Sequence, residues 1–327
     1  MTTHKWESST VLVTGATGMV GAWLVKDLLA RKARVVVLVH DSDPQSELFR
    51  SGDINKVTVV NGTLEDYRTV ERAINEQEAD TIIHLGAQTI VSTAHHSPLS
   101  TFEVNIRGTY NLLEAARVHI DRVKRVVIAS SDKAYGYQAL LPYTEEMSLA
   151  GQHPYEVSKS CADLLSQSYW HTYGLPVAIA RCGNIYGGGD LNWSRIVPGT
   201  IRSLIEGNAP IIRSDGSYIR DYVYVKDICG AYLLLAENLD NSRVCGYGFN
   251  FSNETALSVL DLVAHIQRAL SREDLKPTIL NKAKGEIKDQ YLSAAKAHQV
   301  LGWHPTYTLY SGIQETVEWY QDFLKNY

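Results

Sequence analysis

From Thr10 onward, short runs of β-branched and aliphatic residues alternate with stretches whose apolar positions recur every three or four residues. The runs are Val11 to Thr14, Val35 to Val39, Val57 to Val60, Thr81 to His84, Arg125 to Ser130 and Val177 to Arg181. They are apolar almost throughout, as strands are when helices cover both faces of a parallel sheet. The stretches between them, Trp23 to Leu29, Tyr67 to Ile74, Thr101 to Val118 and Glu156 to His171, carry the period of amphipathic helices. This pattern predicts a doubly wound α/β domain over residues 1–181. After Arg181 the alternation gives way to Gly- and Pro-containing segments such as Gly183 to Asp190, so residues 182–327 are expected mainly to build a smaller C-terminal cap. The strand-like piece Tyr247 to Asn250 is expected to rejoin the sheet, which makes the boundary interleaved.

Composition narrows the function classes. The 327 residues suit one large domain or two modest ones. The 31 basic and 36 acidic residues are mixed along the chain, with a net charge of −5 and no basic stripe, so nucleic acid is not an expected partner. Apolar runs such as Val35 to Val39 and Ala231 to Ala236 are far below the ~20 residues of a membrane span, and Met1 to Thr10 lacks a signal-peptide core. A cytoplasmic chain without a membrane partner is the expectation. Cys161, Cys182, Cys229 and Cys245 are scattered, which suits reduced core thiols better than a disulfide framework or a zinc site, and no metal is expected.

The first strand runs directly into Thr14-Gly15-Ala16-Thr17-Gly18-Met19-Val20-Gly21, a Gly-x-x-Gly-x-x-Gly loop before a helix expected to begin near Ala22. Glycines there permit a tight turn and close approach of a pyrophosphate to backbone N–H groups at a helix N-terminus. The loop predicts a dinucleotide site in a Rossmann-type sheet. Asp41, just past the second strand, is the candidate ribose-binding carboxylate, and the next basic residue is Arg50. NAD is therefore favoured over NADP, whose 2′-phosphate calls for a nearby positive charge.

Tyr155-Glu156-Val157-Ser158-Lys159 sets Tyr155 and Lys159 one helical turn apart. A phenol titrates near ~10. A cation ~5 Å away at an effective dielectric of ~20 is worth roughly 3 kcal/mol, about two pKa units, which would bring Tyr155 toward use as a base on a substrate hydroxyl. Ser131 follows the fifth strand at the sheet's carboxyl edge, where such folds bind ligands, and is placed to bond the same hydroxyl.

Together with Asn105-Ile106-Arg107-Gly108-Thr109, Arg220-Asp221-Tyr222-Val223-Tyr224-Val225 and Leu301-Gly302-Trp303, these motifs resemble those of the extended short-chain dehydrogenase/reductases, the nucleotide-sugar epimerases and dehydratases. Ser130-Ser131-Asp132-Lys133, the stretch from Ala180 to Asp190 and Arg195-Ile196-Val197-Pro198 are most similar to the CDP-glucose 4,6-dehydratases. The resemblance implies a Rossmann domain with a substrate-binding C-terminal cap. It also implies an NAD held by Gly15, Thr17, Gly18, Met19, Val20, Asp41, Leu64, Gly86, Ala87, Gln88, Asn105, Tyr155 and Lys159. It implies a nucleotide diphosphate sugar bound by Asn184, Arg195 and Arg220, and a homodimer built on the helices around 101–118 and 156–171. Thr63 stands where relatives usually carry an adenine-contacting Asp, and Lys288 lies near the place of a second diphosphate arginine.

A 4-epimerase needs only Ser131, Tyr155, Lys159 and the cofactor. A 4,6-dehydratase also needs an acid for the departing C6 hydroxyl and a base for the C5 proton, roles the resemblance gives to Asp132 and Lys133. Neighbours on a strand face opposite ways, so the backbone must already be turning at Asp132 for both to reach one sugar. The dehydratase is the expected activity and the epimerase the alternative, with a non-catalytic dinucleotide sensor as a remote third. His95 and His96 read as solvated loop residues without metal-ligand company, and Trp319 to Leu324 as a helix packing its aromatics on the cap.

Overall fold

The computed structural model describes residues 6–282 and 287–326. The first half runs β1 (Thr10–Thr14), α1 (Met19–Ala30), β2 (Arg34–Val39), α2 (Glu47–Arg50), β3 (Thr58–Asn61), α3 (Tyr67–Asn75), β4 (Thr81–His84), α4 (Val91–His96), α5 (Pro98–Phe102), α6 (Gly108–Val118), β5 (Arg125–Ala129), α7 (Pro154–Tyr173) and β6 (Val177–Cys182). The second half adds β7 (Asn184–Tyr186), α8 (Ile196–Ile205), β8 (Ile211–Ile212), β9 (Ile219–Tyr224), α9 (Val225–Glu237), β10 (Gly248–Phe251), β11 (Ala256–Ser258), α10 (Val259–Ala269), β12 (Thr278–Ile279), β13 (Asp289–Gln290), α11 (Ala295–Leu301) and α12 (Leu309–Lys325).

Seven parallel strands form one sheet in the order β3-β2-β1-β4-β5-β6-β10. The order reverses between β1 and β4, and the crevice above such a switch point is where this fold takes its ligand. Both faces are buried: Val11, Val13, Val35 and Val37 pack into one apolar cluster, Leu12, Val36 and Leu38 into the other. This is why the strand sequences are apolar at consecutive positions. The expected return of a late strand is met by β10, which pairs with β6 in register Gly248↔Ile179. A second sheet gathers β7, β9, β11 and β13.

Three local expectations are corrected. Helix α1 starts at Met19 rather than near Ala22, because Gly18 acts as its N-cap and Gly21 lies inside its first turn. The stretch 101–118 is not one α-helix: Glu103–Arg107 is a π-turn between α5 and α6. That wider turn re-aims the side chains before it, and Asn105 is the residue it carries inward. His95 and His96 lie in the short helix α4 rather than a loop, though both are exposed as expected. The Trp319 side chain lies against Gly188 of the cap, and its indole also donates to Glu47 Oε2 (2.8 Å), which ties α12 to the first half of the chain.

Candidate active site

The loop after β1 and the helix turn that follows it have no room for a side chain at Gly15 and Gly21. Gly15 has φ +71, and a Cβ on it would lie 2.7 Å from the Gly86 nitrogen at the end of β4. A Cβ on Gly21 would lie 2.2 Å from the Gly15 carbonyl oxygen. No side chain caps the start of α1, and Gly18 is exposed, with Thr17, Met19 and Val20 half-buried beside it. A helix N-terminus left open beside a glycine-lined loop suits a pyrophosphate, so the residues present fit a dinucleotide. Gly86, Ala87 and Gln88 continue the rim half-buried, and Leu64 is buried with its carbonyl held by Asn111 Nδ2 (2.9 Å). Asp41 stands well exposed beyond β2, with His40 Nε2 3.4 Å from its carboxylate.

A buried chain of hydrogen bonds joins this cradle to α7. Thr109 Oγ1 donates to the Asn105 carbonyl (2.6 Å), so the 3.2 Å contact to it from His84 Nε2 needs the proton on that nitrogen. His84 Nδ1 is then the acceptor for the Thr14 hydroxyl (2.7 Å), whose oxygen takes the Gly86 N–H (3.1 Å). Burial, helped by the Lys159 charge, pushes His84 down to about 3 and keeps this neutral form. The Asn105 amide binds the Gln88 N–H (2.7 Å) and carbonyl (3.0 Å) and donates to Ser158 Oγ (2.9 Å), which donates to the Tyr155 carbonyl (2.7 Å). Asn105 thus reaches the cradle through the Gln88 backbone it fixes.

Strand β5 ends at Ala129, and Ser131 caps a 3₁₀ turn over Asp132–Tyr135. The backbone is therefore already turning at Asp132, as two neighbouring reactive side chains require. Ser131 Oγ donates to Asp132 Oδ1 (2.8 Å) and accepts the Lys133 N–H (3.2 Å). Helix α7 lies against this turn and brings Tyr155 into a side-chain hydrogen bond with Ser131. Lys159 is buried, and its Nζ donates to the Ala129 carbonyl (2.8 Å).

The expected lowering of the phenol by Lys159 is corrected. Tyr155 is pushed up to about 12, by burial first and by the Asp132 charge second, while Arg195 and the Ser131 hydrogen bond oppose. The Lys159 ammonium is anchored on backbone, and burial pushes it down to about 8. The protein's own groups therefore hold the Tyr155 phenol in its neutral form.

Around this core, Arg195 spans from Asp190 Oδ2 (3.0 Å) to Thr89 Oγ1 (3.0 Å). Asn184 is half-buried at the start of β7. Arg220 is buried, with Nη1 donating to the carbonyls of Ile219 (2.9 Å) and Lys288 (2.7 Å). Sequence patterns missed three features: the His84 network, Asp221, whose carboxyl burial pushes up to about 7, and Gln290, which contacts the Asp132–Lys133 turn. Among the described residues no group of His, Cys, Asp and Glu could hold a metal, all four cysteines are free, and no helix is long and apolar enough to cross a membrane.

A Rossmann sheet with an anion cradle at its switch point, and Ser131, Tyr155 and Lys159 at its carboxyl edge, defines an extended short-chain dehydrogenase/reductase. More narrowly, the chain belongs to the GDP-mannose 4,6-dehydratase family, whose sequence model it matches over residues 12–316. It is 28% identical to a CDP-glucose 4,6-dehydratase of Salmonella typhimurium over 98% of this chain and 92% of that one. A solved dTDP-glucose 4,6-dehydratase from Streptomyces venezuelae, with NAD bound, is similar at a TM-score of 0.86 and 26% identity, covering 96% of this chain and 97% of the other. A UDP-glucose 4-epimerase from Thermotoga maritima, with UDP-glucose, is similar at 0.87 and 25%, covering 96% and 99%.

Proposed function

We propose that this protein is an NAD-dependent nucleotide-sugar 4,6-dehydratase: a C4 alcohol is oxidised, water is eliminated across C5 and C6, and hydride returns to C6. The observation that carries this reading is the 3₁₀ turn that presents Asp132 and Lys133 beside Ser131 and Tyr155, a pair for which a 4-epimerase has no use. The relative and the NAD-bound neighbour named as dehydratases support it.

When bound, NAD supplies the hydride acceptor and, in its oxidised form, a positive charge that offsets the upward push on the phenol. Gly15, Thr17, Gly18, Met19, Val20, Leu64, Gly86, Ala87 and Gln88 would hold it. Tyr155 takes the proton from the C4 hydroxyl, which Ser131 orients, and Lys159 stands by as the cation of the pair. Lys133 takes the C5 proton and Asp132 protonates the departing C6 oxygen, which leaves as water. For those roles Asp132 is protonated and Lys133 neutral, which holds the same number of protons as the ion pair. Asn184, Arg195 and Arg220 would hold the nucleotide diphosphate sugar, with residues 182–327 shaping most of that side.

The same reading includes a cytoplasmic homodimer. Exposed apolar side chains on the relevant helices, Leu99, Tyr110, Val118, Leu164 and Tyr173, support the dimer, and light scattering at micromolar concentration tests it. The epimerase remains the second reading, favoured by the similarity to the UDP-glucose 4-epimerase and by the sufficiency of Ser131, Tyr155 and Lys159 for it. A panel of nucleotide hexoses separates the two. Dehydration lowers the product by about 18 mass units, one water, whereas epimerisation leaves the mass unchanged.

A further inference from the structure

Strand β13 is two residues long, and its second residue, Gln290, is fully buried. It pairs in parallel with β9 so that Gln290 sits opposite Arg220 in register. From there the Gln290 side chain crosses to the catalytic turn, 157 residues away in the chain, and grips it twice. Its Oε1 accepts from Lys133 Nζ, and its Nε2 donates to the Asp132 carbonyl (3.1 Å). The two contacts fix the amide's orientation, since only the oxygen can accept and only the nitrogen can donate.

We propose that Gln290 is a positioning residue for the elimination step: it holds the Lys133 amine and the Asp132 backbone in one geometry from the substrate-binding half. This rests on the dehydratase reading above. A neutral amide is chemically suited to the task. It orients an amine that must shed its proton to act as a base, whereas a carboxylate at the same place would bind that proton in an ion pair. The register also links the two halves of the site. Arg220, the candidate diphosphate ligand, bonds the Lys288 carbonyl two residues before Gln290, so an anchor for the sugar and a clamp on the acid–base pair share one pair of strands. C4 oxidation runs through Ser131, Tyr155 and Lys159, none of which Gln290 touches through these bonds, so the clamp should act on one half of the reaction.

The test uses the NAD-loaded enzyme and the nucleotide hexose that the wild type turns over. Three quantities are read: absorbance of reduced cofactor, deuterium uptake at C5 from heavy water, and water loss by mass. Gln290→Leu should lower C5 exchange and water loss at least tenfold, with cofactor reduction and KM within threefold of wild type. Gln290→Glu, of nearly equal volume and polar, guards against a packing defect and should show the same split. Lys133→Ala combined with Gln290→Leu should be no slower in C5 exchange than Lys133→Ala alone, because Gln290 acts through that amine. Unimpaired water loss in both Gln290 variants, equal loss of oxidation and elimination, or a double variant slower by the product of the single effects would each overturn the inference alone. A wild type that epimerises its substrate without releasing water would overturn the dehydratase reading and this inference with it.

Discussion

Asp132 raises the pKa of Tyr155 across the active site, and Ser131 hydrogen-bonds to both of them. The proposed acid for one step and the proposed base for another are therefore one electrostatic unit, joined by a hydroxyl. Replacing Asp132 by Asn removes a negative charge from beside the phenol, so the folded-state pKa of Tyr155 should fall. The alkaline-rising limb of C4 oxidation should then move to lower pH, as read from cofactor reduction in single turnovers. Water loss in the same variant should drop by ~10² or more, since the proposed general acid is gone. Arg195→Ala should move that limb the opposite way, because Arg195 lowers the phenol's pKa.

Gly15 and Gly52 offer a matched pair. Both have positive φ, +71 and +74, but a Cβ on Gly15 meets backbone of Gly86 while one on Gly52 meets open space. Gly15→Ala should weaken NAD binding at least tenfold by isothermal titration. Gly52→Ala should cost about 1 kcal/mol of stability and leave NAD affinity unchanged.

The placement of the sheet and of much of the site was legible in sequence because both depend on local pattern. Continuous apolar runs marked β1 to β6 within a residue or two, and the order glycine loop, Ser131, Tyr155, Lys159 follows the carboxyl edge of the sheet. His84 was hidden because it closes a fully buried strand and carries no motif; its partners Thr14 and Thr109 come from two other elements. Gln290 gave no signal at all, since a two-residue strand has no periodicity and its partner lies 157 positions away. The pKa of Tyr155 is hidden from sequence for a related reason. Spacing along a helix shows that Lys159 shares its face, but only the fold shows that Lys159 bonds Ala129 and that Asp132 opposes it.

His84 also makes stability depend on pH. Its folded pKa lies near 3, below the ordinary value of 6.5, so between those values the unfolded chain binds a proton the native one does not. Stability from this group is complete above pH 6.5 and falls by about 1.4 kcal/mol per pH unit as pH drops toward 3. His84→Gln should remove that part of the slope and, by breaking the chain through Thr14 and Thr109, lower stability at pH 8 by about 1–3 kcal/mol. Urea unfolding at several pH values from 4 to 8 checks both parts.

The path of one hydrogen atom tests the central claim most directly. A nucleotide hexose carrying deuterium only at C4 is turned over by the purified protein, and the label is located in the product by NMR. A 4,6-dehydratase delivers it to the new C6 methyl group of a 4-keto-6-deoxy sugar. Deuterium found again at C4, in a hexose of unchanged mass and inverted configuration, would contradict the account.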